Sequence, residues 1–268
     1  MESPELWVGR SRELERLTDA IRRRRSLLVW GPPDSGKTAL VERCIAMLPR
    51  ARSTRCLRFH VNSCLQQLLQ EHLIQLGEAG DPLIRGKFAG EASRSRSFET
   101  WVRKQKSIRL RGLLYRATRE NSYWLFWDDS PILGHAHSRV LDELVSMNKT
   151  PVYLTAEGFK EKHIGEGWHH YWHDGLRLEL GPLRMPEGEE LLERCIEWHR
   201  LSRFDLTDFR QEILELSGLL PGAIRKMAEL AGQPGYQYGD RIKTRLVSVE
   251  YLRRRAACYS STAVQLAS

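Results

Sequence analysis

The octapeptide Gly31-Pro32-Pro33-Asp34-Ser35-Gly36-Lys37-Thr38 obeys the pattern G-x-x-x-x-G-K-[ST], and that pattern admits few folds. It needs an apolar strand before it and a helix after it. Only then do the N–H groups of a glycine-bearing turn and of the first helical turn converge on one anion. Both flanks are present: the apolar run Ser26–Trp30 precedes the octapeptide, and Thr38–Leu48 carries helical apolar spacing. Gly31, Pro32, Pro33, Asp34, Ser35 and Gly36 would line the phosphates. Lys37 would neutralise their β and γ oxygens, and the Thr38 hydroxyl would ligate Mg²⁺. The chain is therefore predicted to bind ATP or ADP with Mg²⁺.

Further short apolar runs follow at Leu57–Val61, Tyr123–Trp127, Pro151–Thr155 and Leu176–Leu180, separated mainly by segments of helical spacing. Strands of this length and continuous apolarity suit a parallel sheet covered on both faces. Trp30 and Trp127 are expected inside it. After Leu183 the pattern turns helical, with Met185–Leu201, Asp205–Leu216, Pro221–Ala231 and Arg241–Ala257 as candidate helices. The expected architecture is α/β, with an ATPase domain over residues 1–182 and a small helical domain over 183–268. Gly77–Ser97, rich in Gly, Pro, Ser and charge, reads as a long loop.

The run Tyr123-Trp124-Leu125-Phe126-Trp127-Asp128-Asp129 ends an apolar strand in two adjacent carboxylates, the partner that a phosphate loop requires. Asp128 would hold Mg²⁺, and Asp129 would orient or deprotonate the attacking water. In Val152-Tyr153-Leu154-Thr155-Ala156-Glu157 a further strand ends in a hydroxyl, and Thr155 would sense the γ-phosphate.

These motifs, with Trp7-Val8-Gly9-Arg10-Ser11-Arg12-Glu13-Leu14 upstream, resemble the AAA+/STAND group of P-loop ATPases, in particular its origin-recognition and transposition-helper branches. The resemblance implies a P-loop sheet of five parallel strands sandwiched by helices, followed by a helical lid. It implies that Val8 and Gly9 contact the base. It also matches Ser217-Gly218-Leu219-Leu220-Pro221-Gly222-Ala223-Ile224-Arg225 to a lid motif in which Pro221 would pack near the nucleotide and Arg225 would approach the phosphates. Asp34 stands where these families usually have glycine. Gly158–Gly175 contains no arginine to serve as a trans-acting finger, and the second acid is Asp129 rather than the longer Glu. Slow hydrolysis is the expectation.

The net charge of +8 is concentrated in Asp81–Glu120, where eleven Arg/Lys face four Asp/Glu. Arg94, Arg96, Arg103, Lys104, Lys106, Arg109 and Arg111 run from a loop into a helix whose apolar side includes Trp101, Ile108, Leu110, Leu113 and Leu114. Such a stripe suits phosphate backbones of DNA. The leading reading is an ATP-controlled assembly factor on nucleic acid, with self-assembly or a protein partner. A STAND-type switch without nucleic acid is the alternative, and a small-molecule kinase fits less well. No stretch is long and apolar enough to span a membrane, and the N-terminus lacks a signal peptide's pattern, so a cytoplasmic protein is expected. The five cysteines form no CxxC pair and are read as reduced thiols. His169 and His173, at i,i+4 if helical, are read as packing residues rather than metal ligands.

Overall fold

The computed structural model describes residues 6–50, 55–60, 64–91, 97–130, 132–147, 149–158, 160, 162 and 164–266. Two compact units emerge: Arg12–Gly31 with Leu40–Glu179, and Met1–Ser11 with Pro32–Ala39 and Leu180–Ser268.

The first unit is built on a five-stranded parallel sheet in the order β2-β3-β4-β1-β5. Its strands are β1 (Leu27–Gly31), β2 (Cys56–His60), β3 (Trp124–Ser130), β4 (Val152–Glu157) and β5 (Arg177–Glu179). All five positions of β1 are buried, and β3 and β4 are each buried at every position but one. That is the burial that helices on both faces impose, and it explains why these strands read as unbroken apolar runs. The predicted strands are displaced by no more than a few residues.

Helix α1 (Ser11–Arg22) precedes β1, and α2 (Lys37–Met47) follows the phosphate loop. Four helices separate β2 from β3: α3 (Leu65–Glu78), α4 (Pro82–Glu91), α5 (Phe98–Arg103) and α6 (Ser107–Glu120). Helix α6 buries Leu110, Leu113, Leu114, Ala117 and Thr118, the spacing of one apolar face. Helix α7 (His135–Asp142) follows β3. Trp30 and Trp127 are core residues, as expected.

The loop expected over Gly77–Ser97 is instead mostly helical, apart from residues 92–96, which lie outside the described set. Within it, the Asp81-Pro82 step is a helix start. Asp81 Oδ1 accepts from the Ile84 N–H at 3.0 Å, and Pro82 stands where a missing donor costs nothing. Asp81 Oδ2 takes Asn121 Nδ2 at 2.9 Å and the Tyr123 hydroxyl at 2.8 Å, so this buried carboxylate ties α4 to the entry of β3. Gly77 is required by contact, because a Cβ there would lie 2.2 Å from the Phe98 ring. Ile108 was expected on the apolar side of α6 but is exposed: it sits at the start of the helix, off the Leu110–Leu114 stripe.

One buried group makes this core pH-sensitive. His72 Nδ1 donates to the Leu68 carbonyl at 2.7 Å, its Nε2 accepts from Trp127 Nε1 at 3.0 Å, and its ring stacks on Phe59. Burial pushes its pKa down from 6.5 to about 4. A base depressed on folding is bound by more protons in the unfolded chain, so stability falls as pH drops from about 6.5 towards 4. The loss expected from this residue is about 3 kcal/mol. Urea denaturation across that range should show it in the native protein and a correspondingly smaller loss in His72→Gln, which cannot titrate.

The second unit contains α8 (Met185–Trp198), α9 (Thr207–Ser217), α10 (Pro221–Ala231) and α11 (Thr244–Leu266), with a short antiparallel pair, β6 (Gln237–Tyr238) and β7 (Arg241–Ile242), before α11. Leu191, Ile196, Phe209, Ile213, Ile224, Met227, Val247 and Tyr251 form its core, and Val8 joins them. The amide of Arg184 donates to Glu187 Oε2 at 3.0 Å, which starts α8. No helix among the described residues is long and apolar enough to cross a membrane.

Candidate functional site

The phosphate loop leaves β1 at Gly31 and opens α2 at Lys37. Asp34 (φ 63°) and Gly36 (φ 88°) both take left-handed backbone, the alternation that turns successive N–H groups toward one side and forms an anion-binding concavity. Ser35 is fully buried, and its Oγ has no hydrogen-bond partner among the described residues. Lys37 is nearly buried, with Nζ donating to the Pro32 carbonyl at 3.0 Å. A strained concavity holding a buried cation and an unmatched hydroxyl fits a phosphate group, whose oxygens accept from all three kinds of donor.

Within the same unit, Pro221 is the first residue of α10, and its Cγ lies 3.4 Å from where a Gly36 Cβ would stand. The Gly222 amide donates to the Asp34 carbonyl at 2.8 Å. The Asp34 carboxylate accepts from Lys226 Nζ and from the Tyr251 hydroxyl, each at 2.7 Å. Tyr251 holds its proton more tightly than an ordinary tyrosine, first because it is buried and then because it donates to Asp34. Arg225 lies beside Cys195 and His199: burial raises the Cys195 thiol against the pull of Arg225, whereas at His199 burial lowers the imidazole pKa and Arg225 adds to that against Glu229. Lys226 is an α10 cation bonded to the loop. Arg10 bonds the Ser35 carbonyl at 3.4 Å and also that of Gly181, Val8 is buried among α8–α11, and Gly9 faces the Glu187 carboxylate.

The acidic strand end belongs to the sheet unit. The β3–β4 register shifts between Trp127 and Ser130, and Asp129 takes φ 55°, so the two acids occupy a bulge. A bulge re-aims side chains, and here it buries Asp128 while leaving Asp129 exposed. Asp128 Oδ1 accepts from Thr155 Oγ1 at 2.6 Å, and Thr155 Oγ1 accepts from the Asp129 N–H at 2.8 Å. Oδ2 accepts from Arg58 Nε at 3.0 Å and Nη2 at 2.6 Å, a forked pair, while Arg58 Nη1 reaches Glu42. Burial pulls the Arg58 guanidinium down, but Asp128 and Glu42 outweigh it and the net shift is upward. The Asp128 carboxylate is a hard oxygen donor of the type Mg²⁺ takes. Because Mg²⁺ keeps several of its waters, a carboxylate already bonded through both oxygens can still serve it through water.

Sequence reasoning missed Arg58, Lys226 and Tyr251. Arg58 carried a signal, a lone cation inside the apolar strand CLRFH, two residues from the position paired with Asp128. Lys226 stands four residues after Gly222, on the same helix face. Nothing local marks Tyr251.

Along α5 and α6, Arg103 pairs with Glu99 and Arg109 with Glu91, and Arg111 is half-buried. Lys104 and Lys106 are exposed and make no ion pair among the described residues. Arg94 and Arg96 lie outside the described residues. His169 and His173 do not share a helix: His169 lies in a short 3₁₀ segment, Glu166–His170, and His173 caps the next, Asp174–Leu176, its Nδ1 accepting from the Gly175 amide at 3.0 Å. Ligand atoms of Asp142, His169 and His170 come within 4.8 Å of one another, but two of these residues are exposed and Asp142 already accepts from Ser146. We assign no ion to them.

Residues 6–157 match the model of the AAA ATPase domain. No curated protein matches the sequence. Among solved structures, a Walker-type ATPase of Pyrococcus abyssi superposes with TM-score 0.58 at 14% identity, covering 97% of this chain and 75% of that one. The ORC1 protein of Aeropyrum pernix, solved in complex with DNA, superposes with TM-score 0.58 at 15% identity, covering 94% of this chain and 66% of that one. At these identities the likeness is one of fold, a P-loop ATPase sheet with flanking helices.

Proposed function

We propose that this chain, which belongs to the AAA ATPase domain family, is a slow ATPase that controls assembly on DNA, with an ATPase domain over residues 1–182 and a helical lid over 183–268. The family membership supports ATP as ligand. In this reading the loop Gly31–Thr38 receives the phosphates, Lys37 neutralises them, Val8 and Gly9 face the base, and Pro221 and Arg225 act from the lid. Thr38 and Asp128 would hold Mg²⁺, which when bound offsets the charge of the phosphate oxygens. Asp129, exposed on the bulge, would orient water, and Thr155 would act by holding Asp128 and the Asp129 amide in place. A short second acid and an arginine-free Gly158–Gly175 support slow turnover and a switch rather than a motor.

The observation that carries the DNA reading is the exposed cationic run on α5 and α6, in which Lys104 and Lys106 lack acidic partners among the described residues. The DNA complex of the ORC1 fold relative lends it support. Cations of this kind bind phosphate backbones without reading sequence and release counterions on binding. Fluorescence anisotropy with a labelled duplex should show binding at about 50 mM salt that weakens steeply by about 200 mM, more strongly with ATP than without. Lys104→Ala with Lys106→Ala should lower the salt slope by about 2. Negligible affinity at low salt in both nucleotide states would remove the DNA reading and leave a STAND-type switch driven by ADP/ATP exchange.

A further inference from the structure

Asp34 brings a negative charge into a loop built to receive anions. Left unpaired, it would repel phosphates and lower the loop's affinity for them. It is not left unpaired. Its side chain is only 9% exposed, Lys226 bonds Oδ1, Tyr251 bonds Oδ2, and the Gly222 amide bonds its carbonyl. A Cβ on Gly222 would lie 2.9 Å from Asp34 Cα, so α10 can approach the loop this closely only with glycine there. The two side-chain partners differ in kind. Lys226 is 61% exposed and its attraction is open to screening by salt, whereas Tyr251 is buried and its bond is shielded.

We propose that Lys226 and Tyr251 are positioning residues that neutralise and fix Asp34, so that a phosphate loop carrying an acid still accepts a nucleoside triphosphate. Asp34 then does two things that glycine cannot. It makes the loop's affinity for phosphate depend on α10 and α11, and it holds those helices to the loop before nucleotide arrives. The proposal rests on the loop being the nucleotide site.

A double-mutant cycle separates this role from direct contact with nucleotide and from general stability. Lys226→Met and Tyr251→Phe are each expected to weaken binding of a fluorescent ATP analogue about five- to tenfold in the native background. In an Asp34→Gly background, both substitutions should change affinity by less than about twofold relative to Asp34→Gly alone. The Lys226 effect should shrink as salt rises and the Tyr251 effect should not. Equal losses in both backgrounds, or no loss in the native one, would overturn the proposal. Lys226 is exposed, so its variant keeps the fold even if Tyr251→Phe does not. The same cycle is read in the nucleotide-free protein by thermal midpoint, where Asp34 and Lys226 should be coupled, and additive midpoints would also overturn it. If the native protein binds no nucleotide, the reading of the site fails, and the midpoint cycle still decides the tether.

Discussion

Lys37→Ala is expected to abolish tight nucleotide binding, with a loss of about a hundredfold or more in affinity for MgATP by equilibrium titration. The lysine is nearly buried, and its ammonium bonds the Pro32 carbonyl. A cation held there is desolvated in advance, so phosphate oxygens gain a charge-assisted bond with little reorganisation. Alanine removes that charge and leaves the concavity facing three or four phosphate charges with neutral donors alone. Asp129→Asn separates binding from chemistry. The side chain is exposed and the role proposed for it requires a carboxylate, so the variant should bind MgATP within about threefold of native and lose turnover at least about a hundredfold. Phosphate release and equilibrium binding on the same two variants check both halves. Turnover unchanged in either would remove the site assignment.

The phosphate loop and the acidic strand end were legible because their chemistry demands particular residue types in consecutive positions. The sheet was legible for a related reason: strands buried on both faces have no room for polar alternation, so Leu27–Gly31 and Val152–Glu157 stand out as apolar runs. What escaped lies in partners distant along the chain. Lys226 and Tyr251 meet Asp34 across separations of 192 and 217 residues, and Arg58 meets Asp128 across 70. Asp34 could be seen as odd, but not what compensated it. The segment around Asp81 was misread for a local reason. Asp-Pro serves both turns and helix starts, and the donors that decide between them, Asn121 and Tyr123 to Asp81 Oδ2, come from elsewhere in the chain.

Replacing Arg58 is expected to cost more stability than any other surface-reaching substitution in the sheet unit. Asp128 is 1% exposed in its side chain and Arg58 24%, so their forked pair is largely withdrawn from water. A buried pair contributes little net stability over an apolar pair, because desolvation of both ions offsets their attraction. Removing one partner is different, since it leaves the other charged and buried. Arg58→Met should therefore lower the unfolding free energy by about 3–5 kcal/mol in urea titrations. Arg58→Lys should recover only part of it, because a point charge cannot reproduce the two bonds from Nε and Nη2 to Oδ2. The cause can be isolated by neutralising the acid as well. Arg58→Met combined with Asp128→Asn removes the stranded charge while keeping an acceptor for Thr155, and it should be more stable than Arg58→Met alone by about 2 kcal/mol. A double variant no more stable than the single one would mean that Arg58 acts through its contact with Glu42 or its stem packing, and not as the counter-charge of Asp128.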